Sequence, residues 1–359
     1  MQDRKKRFIS GYACICIFIF LIVGMTYVMS ELSVSFADYI NGNQAHHFRR
    51  FMAGISNAFD FSLFEALVFC IPIIVFLVIY RGMVAFQKGR GIRYIINLVA
   101  TVLLIYSGHL LALGVGYRAT DISEKMELTD VKVNEDNLTK VINLLIEEIN
   151  GLADNLPRDE NGVFEPGYGF EQISKEVSDS YCKLSSEYGL SENFDSRAKG
   201  FSNGAILSYL GITGIYTYYT GEANVNTSYP AYVRIFTTAH EMCHQRGILR
   251  ENDANFVAYL ITCTSEDDAL RYSGALNMYS YFASALYKTN KETYYSLAET
   301  LCDSAKTDIR ASNAVYEKYG DTIFEKISDM INNLYLKSNG TEGIISYSKV
   351  VELVVAYYQ

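Results

Sequence analysis

Three runs of almost unbroken apolar residues, at about 9–29, 61–80 and 94–116, occupy the first third of the chain, and periodic mixtures of apolar and polar positions follow them. Each run is close to the ~20 residues that a helix needs to cross a hydrocarbon core. The pattern therefore predicts a membrane region over residues 1–116 with three transmembrane helices, and a second domain over residues 117–359. In that domain Leu138, Val141, Ile142, Leu145 and Ile149 recur at helical spacing after Asn134-Glu135-Asp136, which predicts an amphipathic helix. Further helices are predicted over 172–187, 269–287 and 321–335, the last closed by Lys337-Ser338-Asn339-Gly340. From 211 to 226 β-branched and aromatic residues replace this rhythm, with a turn near Thr220-Gly221, so a short hairpin is expected there. A helix starting near Pro230 carries Val233, Phe236, His240, Cys243 and Gly247 along one side. The predicted class is mostly α.

The first apolar run follows Arg4-Lys5-Lys6-Arg7, as a signal peptide would, but it exceeds the roughly 7–15 residues of a signal-peptide core and no small-x-small cleavage site follows it. It reads as an uncleaved anchor. Basic residues Arg81, Lys88, Arg90 and Arg93 lie between the second and third runs, whereas Arg49 and Arg50 between the first and second are offset by Glu31, Asp38 and Asp60. The excess of positive charge predicts a cytoplasmic N terminus and an exported second domain. From Tyr117 onward the chain has 21 basic and 35 acidic residues, a net charge of −14. Such a surface argues against nucleic-acid partners and against close adhesion to anionic lipid. Seven cysteines show no CxxC pair, so no disulfide can be assigned; Cys243 is expected to pack behind the histidine face.

The chemistry concentrates at His240-Glu241-Met242-Cys243-His244, followed by Glu251 and Asn255. Residues four apart share a helix face, so His240 and His244 are expected to converge on one ion, with Glu241 beside it to take a proton from an activated water. Gly247 is expected to end this helix in a left-handed cap and Glu251 to open the next, a hairpin that returns the carboxylate to the histidines. Two histidines, a carboxylate and an open position suit catalytic zinc, one ion per chain. Asn255, four residues after Glu251, is placed to hydrogen-bond a ligand histidine.

At these residues the chain resembles an uncharacterised bacterial family of three-span membrane proteins with a gluzincin-like HExxHQxG...ExxAN signature. The likeness extends to YTYYTGEANVN upstream and NNLYLKSNGTEGIISYSKVVEL downstream. The resemblance implies a helical zincin-like extracytoplasmic domain on a multi-pass bacterial membrane protein, with His240, His244 and Glu251 as metal ligands and Glu241 as catalytic base. Two positions depart from the gluzincin pattern: Asn255 stands where Asp is common, and Arg246 where an apolar residue is usual.

The expected activity is hydrolysis of a peptide or protein substrate outside the membrane, by a zinc-activated water with a Glu general base. A non-catalytic metal-binding sensor or scaffold and a hydrolase of cell-wall amides are the alternatives. Glu222, Ala223, Asn224, Val225 and Asn226, just before the metal helix, are expected either to form a substrate ledge by main-chain pairing or to serve as an ordinary structural hairpin. Among 29 tyrosines, including Tyr229, Tyr259 and Tyr272, no oxyanion donor stands out. Glu65, Asn97 and His109 are polar groups in or near apolar runs; Glu65 and His109 fall toward the same end, where they meet interfacial water or each other.

Overall fold

The computed structural model of the protein describes residues 9–359. The basic run Arg4–Arg7 lies outside the described residues. Three helices are long and apolar enough to cross a membrane: the first span Gly11–Leu32, the second Leu63–Gln87 and the third, whose helix proper is Gly91–Ala112. Their large side chains, such as Phe18, Met25, Phe76 and Val102, remain exposed, so the protein itself does not cover them. The first and third spans pack together, and Ser10 Oγ donates to Asn97 Oδ1 at 2.5 Å while the Tyr12 and Thr101 hydroxyls pair at 2.9 Å. Asn97 is thus a link between spans. The connection from the first to the second span is itself helical, Val34–Ile40 and His46–Ser56 joined by a wide turn over Asn41–Ala45.

Beyond the spans, the main core is helical. Glu135–Ala153 begins where its periodicity predicts, with Asn134 and Asn137 exchanging side-chain to backbone bonds at its N-terminus. It packs on Asp268–Thr289, which also covers Ala231–Gln245 and Glu251–Cys263. Phe170–Tyr188 and Val350–Tyr357 close the remaining sides of this apolar cluster. The hairpin forms as expected, from β2 (Gly214–Thr217) and β3 (Glu222–Asn226), and Gly221 in its turn adopts φ +70°. A strand not expected from the sequence, β1 (Lys199–Phe201), pairs parallel to β3 on its other side, giving the order β1-β3-β2.

The sheet is wired to the second span by buried polar groups. Glu222 accepts from the backbone N–H of Leu63 and of Phe64, both at 2.8 Å, and from Lys199 Nζ at 2.7 Å. These are orphan donors of a helix N-terminus, where an acidic group is favourable. Ser62 Oγ donates to Asn224 Oδ1 at 2.6 Å, and Glu65 accepts from the Ser202 and Asn203 backbone at 2.9 and 3.0 Å. Glu65 therefore ties a loop to the span. His109 lies elsewhere, stacked on Tyr106 and edge-on to Tyr218 and Tyr335, so the two groups do not meet.

Removing the Glu222 carboxylate leaves Lys199 buried without its counter-charge, so Glu222→Ala is expected to lower stability by about 3–5 kcal/mol. Thermal unfolding of the full chain in detergent measures this, and a loss under ~1 kcal/mol would contradict the role given to the pair.

Candidate metal and catalytic cleft

The helix Ala231–Gln245 ends as its sequence dictates: Gly247 takes φ +94°, a conformation that glycine adopts without strain. Glycine is required for a second reason, because a Cβ there would lie 2.3 Å from Arg49 Nη2 and 2.8 Å from Asn41 Oδ1. Asn41 Nδ2 donates to Gly247 O at 3.0 Å, and Arg49 donates to Asn41 O at 2.8 Å and to Ala112 O at 3.0 Å. The turn is thereby fixed to the domain-facing end of the spans. After it, Glu251–Cys263 runs back along the first helix.

This hairpin brings together His240, His244 and Glu251, whose donor atoms all lie within 4.8 Å of one another. Glu251 Oε2 is 3.2 Å from His240 Nε2 and 3.4 Å from His244 Nε2. The two rings meet edge to face, with centroids 4.6 Å apart. His244 Nδ1 is 2.8 Å from Ile248 O, which holds the ring with Nε2 turned to the carboxylate. Burial would raise the Glu251 carboxyl, but the His244 charge and hydrogen bonds from both imidazoles outweigh it and hold the group well below the usual carboxylate range. For His244, burial acts downward and is overcome by Glu251 and Glu241, so its pKa rises to about 9.

Glu241 is buried beside the cluster and is raised chiefly by that burial; the backbone N–H of Tyr216 hydrogen-bonds its carboxylate. Gly214 makes this contact possible, since a Cβ there would come within 2.4 Å of Thr237 Cγ2 and 2.8 Å of Glu241 Oε1. The groups face a cleft of about 800 Å³, lined among others by Gly214, Tyr216, Asn255, Asn277 and Tyr281.

The strand at this cleft is not the one expected. Glu222, Ala223, Asn224, Val225 and Asn226 form the middle of the sheet, bonded on both edges and buried throughout, so they have no edge to offer a substrate. The free edge belongs to β2. Asn226 N–H bonds to Thr213 O, so residues 213, 215 and 217 point toward β3, and Gly214 and Tyr216 present their main-chain groups to the cleft. No spacing in the sequence marks β2 as the open edge, because that follows from β1 pairing with β3.

Asn255 lies on the same helical face as Glu251 but is neighbour to the Tyr281 phenol, while His244 is oriented by the Ile248 carbonyl instead. Tyr281, missed in the sequence, is raised in pKa by burial to about 12 and sits near Glu251. Of the other tyrosines, Tyr259 pairs with Tyr358 at 2.6 Å and Tyr272 donates to Asp308; with Tyr229, they lie outside the cleft lining. Arg246 points away from the cleft, stacked between Tyr181 and Phe194 at 5.1 and 5.2 Å and bonded to Asn193 Oδ1 at 2.7 Å. Its departure from the gluzincin pattern is a packing feature. Cys243 is fully buried, and burial pushes its thiol up to about 12, so it carries no thiolate at neutral pH. All seven cysteines are free.

The chain belongs to the family described as "Protein of unknown function (DUF3810)", which matches residues 44–355. No curated protein and no solved structure matches it.

Because Glu251 supplies the largest upward pull on His244, Glu251→Gln is expected to lower the imidazole pKa from about 9. At pH 7 the ion-free wild type then carries His244 charged, and the variant carries a smaller charged fraction. Histidine NMR titration of chelator-treated protein reads this directly; an unchanged midpoint would contradict the coupling.

Proposed function

We propose that the chain is a membrane-anchored zinc metallopeptidase of a bacterial cell membrane, with a cytoplasmic N terminus and a zincin-like domain over residues 117–359 on the opposite side. The observation that carries this reading is the convergence of His240, His244 and Glu251 beside Glu241 in one cleft. The donor set fits zinc. Both Nε2 atoms face one carboxylate oxygen, Glu251 Oε2, His240 Nδ1 is buried without a partner, and the Ile248 carbonyl acts as the outer contact that would fix a ligand histidine. A bound zinc would supply Lewis acidity, lowering the pKa of water to ~7.

The remaining roles fall to the chain's own groups. Glu241, held by the Tyr216 N–H, accepts the proton of the attacking water and returns it to the departing amine. The open edge of β2 pairs with an extended main chain through Gly214 and the Tyr216 carbonyl, which favours a polypeptide over a cell-wall crosslink. Tyr281 supplies a hydroxyl at the cleft for the oxyanion.

The test uses the full chain in detergent, because the Gly247 turn is anchored by Asn41 and Arg49. With a peptide library read by mass spectrometry, Glu241→Gln is expected to retain zinc and to cleave about 10²–10⁴-fold more slowly than wild type. Equal cleavage by both proteins would remove Glu241 as base. Zinc retention with no cleavage by wild type would favour a metal-binding sensor.

A further inference from the structure

The helix Ile323–Ser338 has only Leu336 buried. Ile323, Phe324, Ile327, Met330, Ile331 and Leu334 are all exposed, between 45% and 68%. Their spacing puts them on one side, and Glu325, Lys326, Asp329, Asn333 and Lys337 take the other. Phe324, Ile327 and Ile331 border the mouth of the cleft, whereas Ile323, Met330 and Leu334 point away from it. A contiguous apolar face of this kind marks an interaction surface. The helix has two acidic and two basic residues, and so is neutral within a domain of net charge −14.

Its position says what covers it. Tyr335, near its end, meets His109 of the third span at 5.7 Å and Tyr117 at 6.0 Å. His109 stacks on Tyr106, an exposed residue of the same span, so an unbroken aromatic rim joins the span's open side to the helix. Just beyond, Arg118 donates to Asn339 O at 2.5 Å and pairs with Glu31 of the first span at 2.6 Å. The hairpin turn reaches the same level, with Tyr218 donating to Ile105 O at 3.0 Å. Aromatic groups at the end of apolar spans mark the membrane–water boundary.

We propose that Ile323–Ser338 is an interfacial helix, lying in the domain-side leaflet of the bilayer through Ile323, Ile327, Met330, Ile331 and Leu334, with the mouth of the cleft at headgroup level. An extended chain reaching the cleft then arrives along the membrane surface. That consequence rests on the peptidase reading; the docking of the helix does not.

The chain has no tryptophan, so one introduced residue is a unique reporter. Met330→Trp and Leu334→Trp are placed, in the full chain, in phosphatidylcholine vesicles with and without bromine on the acyl chains. Phe76→Trp in the second span and Tyr295→Trp on the domain, both at exposed positions, serve as references. Both helix reporters are expected to lose at least about half as much emission to brominated lipid as Phe76→Trp, and Tyr295→Trp to lose none. Quenching of the helix reporters by aqueous iodide alone would overturn the proposal. Protection from both quenchers would also overturn it and give the face to a second copy of the chain. Neither result depends on hydrolysis, so failure here leaves the peptidase reading to its own test.

Discussion

The buried guanidinium of Arg49 determines where the two histidines and the carboxylate meet. It has no acidic partner among the described residues; its two terminal nitrogens donate to Asn41 and to the Ala112 carbonyl at the end of the third span, while Nε makes no hydrogen bond. Burial lowers its pKa only to about 10, so it stays charged at neutral pH. Asn41, held in place by Arg49, donates to Gly247, and the backbone leaving Gly247 presents the Ile248 carbonyl to His244. A chain of hydrogen bonds thus runs from the ends of the spans to a candidate ligand.

The opposite wall of the cleft depends on the spans in the same way. Glu222 caps the second span and pairs with Lys199, which fixes β1 and β3; β3 in turn carries β2, and Gly214 lets β2 lie directly on Ala231–Gln245. The helical cluster supplies the hairpin that carries His240, His244 and Glu251, and the span region supplies the frame that holds hairpin and strand together. Residues 1–116 and 117–359 differ sharply in composition, yet the cleft is built by both.

What was legible in the sequence was whatever local pattern decides. Span lengths, the cap at Asn134, the left-handed Gly247 and the return of Glu251 all follow from periodicity and turn chemistry within a few residues. The parts that escaped depend on contacts between distant segments. Arg49 looks in the sequence like one more loop charge, because nothing local shows that it will be buried against residue 112. The sequence offers Glu222–Asn226 either as a substrate ledge or as a structural hairpin, and β1, only three residues long, pairs with β3 from some 25 positions away and makes that strand a centre rather than an edge. Tyr281 is one of 29 tyrosines in the sequence, and it reaches the cleft only through the packing of Asp268–Thr289 over Ala231–Gln245 and Glu251–Cys263.

Zinc K-edge absorption on the full chain, purified without added chelator, distinguishes a metal centre at His240, His244 and Glu251 from an ion-free polar cluster. Bound zinc is expected with two imidazole nitrogens and light oxygen neighbours at ~2.0–2.2 Å, and with a weakened imidazole signal in His240→Ala. A sulfur shell at ~2.3 Å, or no bound zinc in the folded protein, would contradict it.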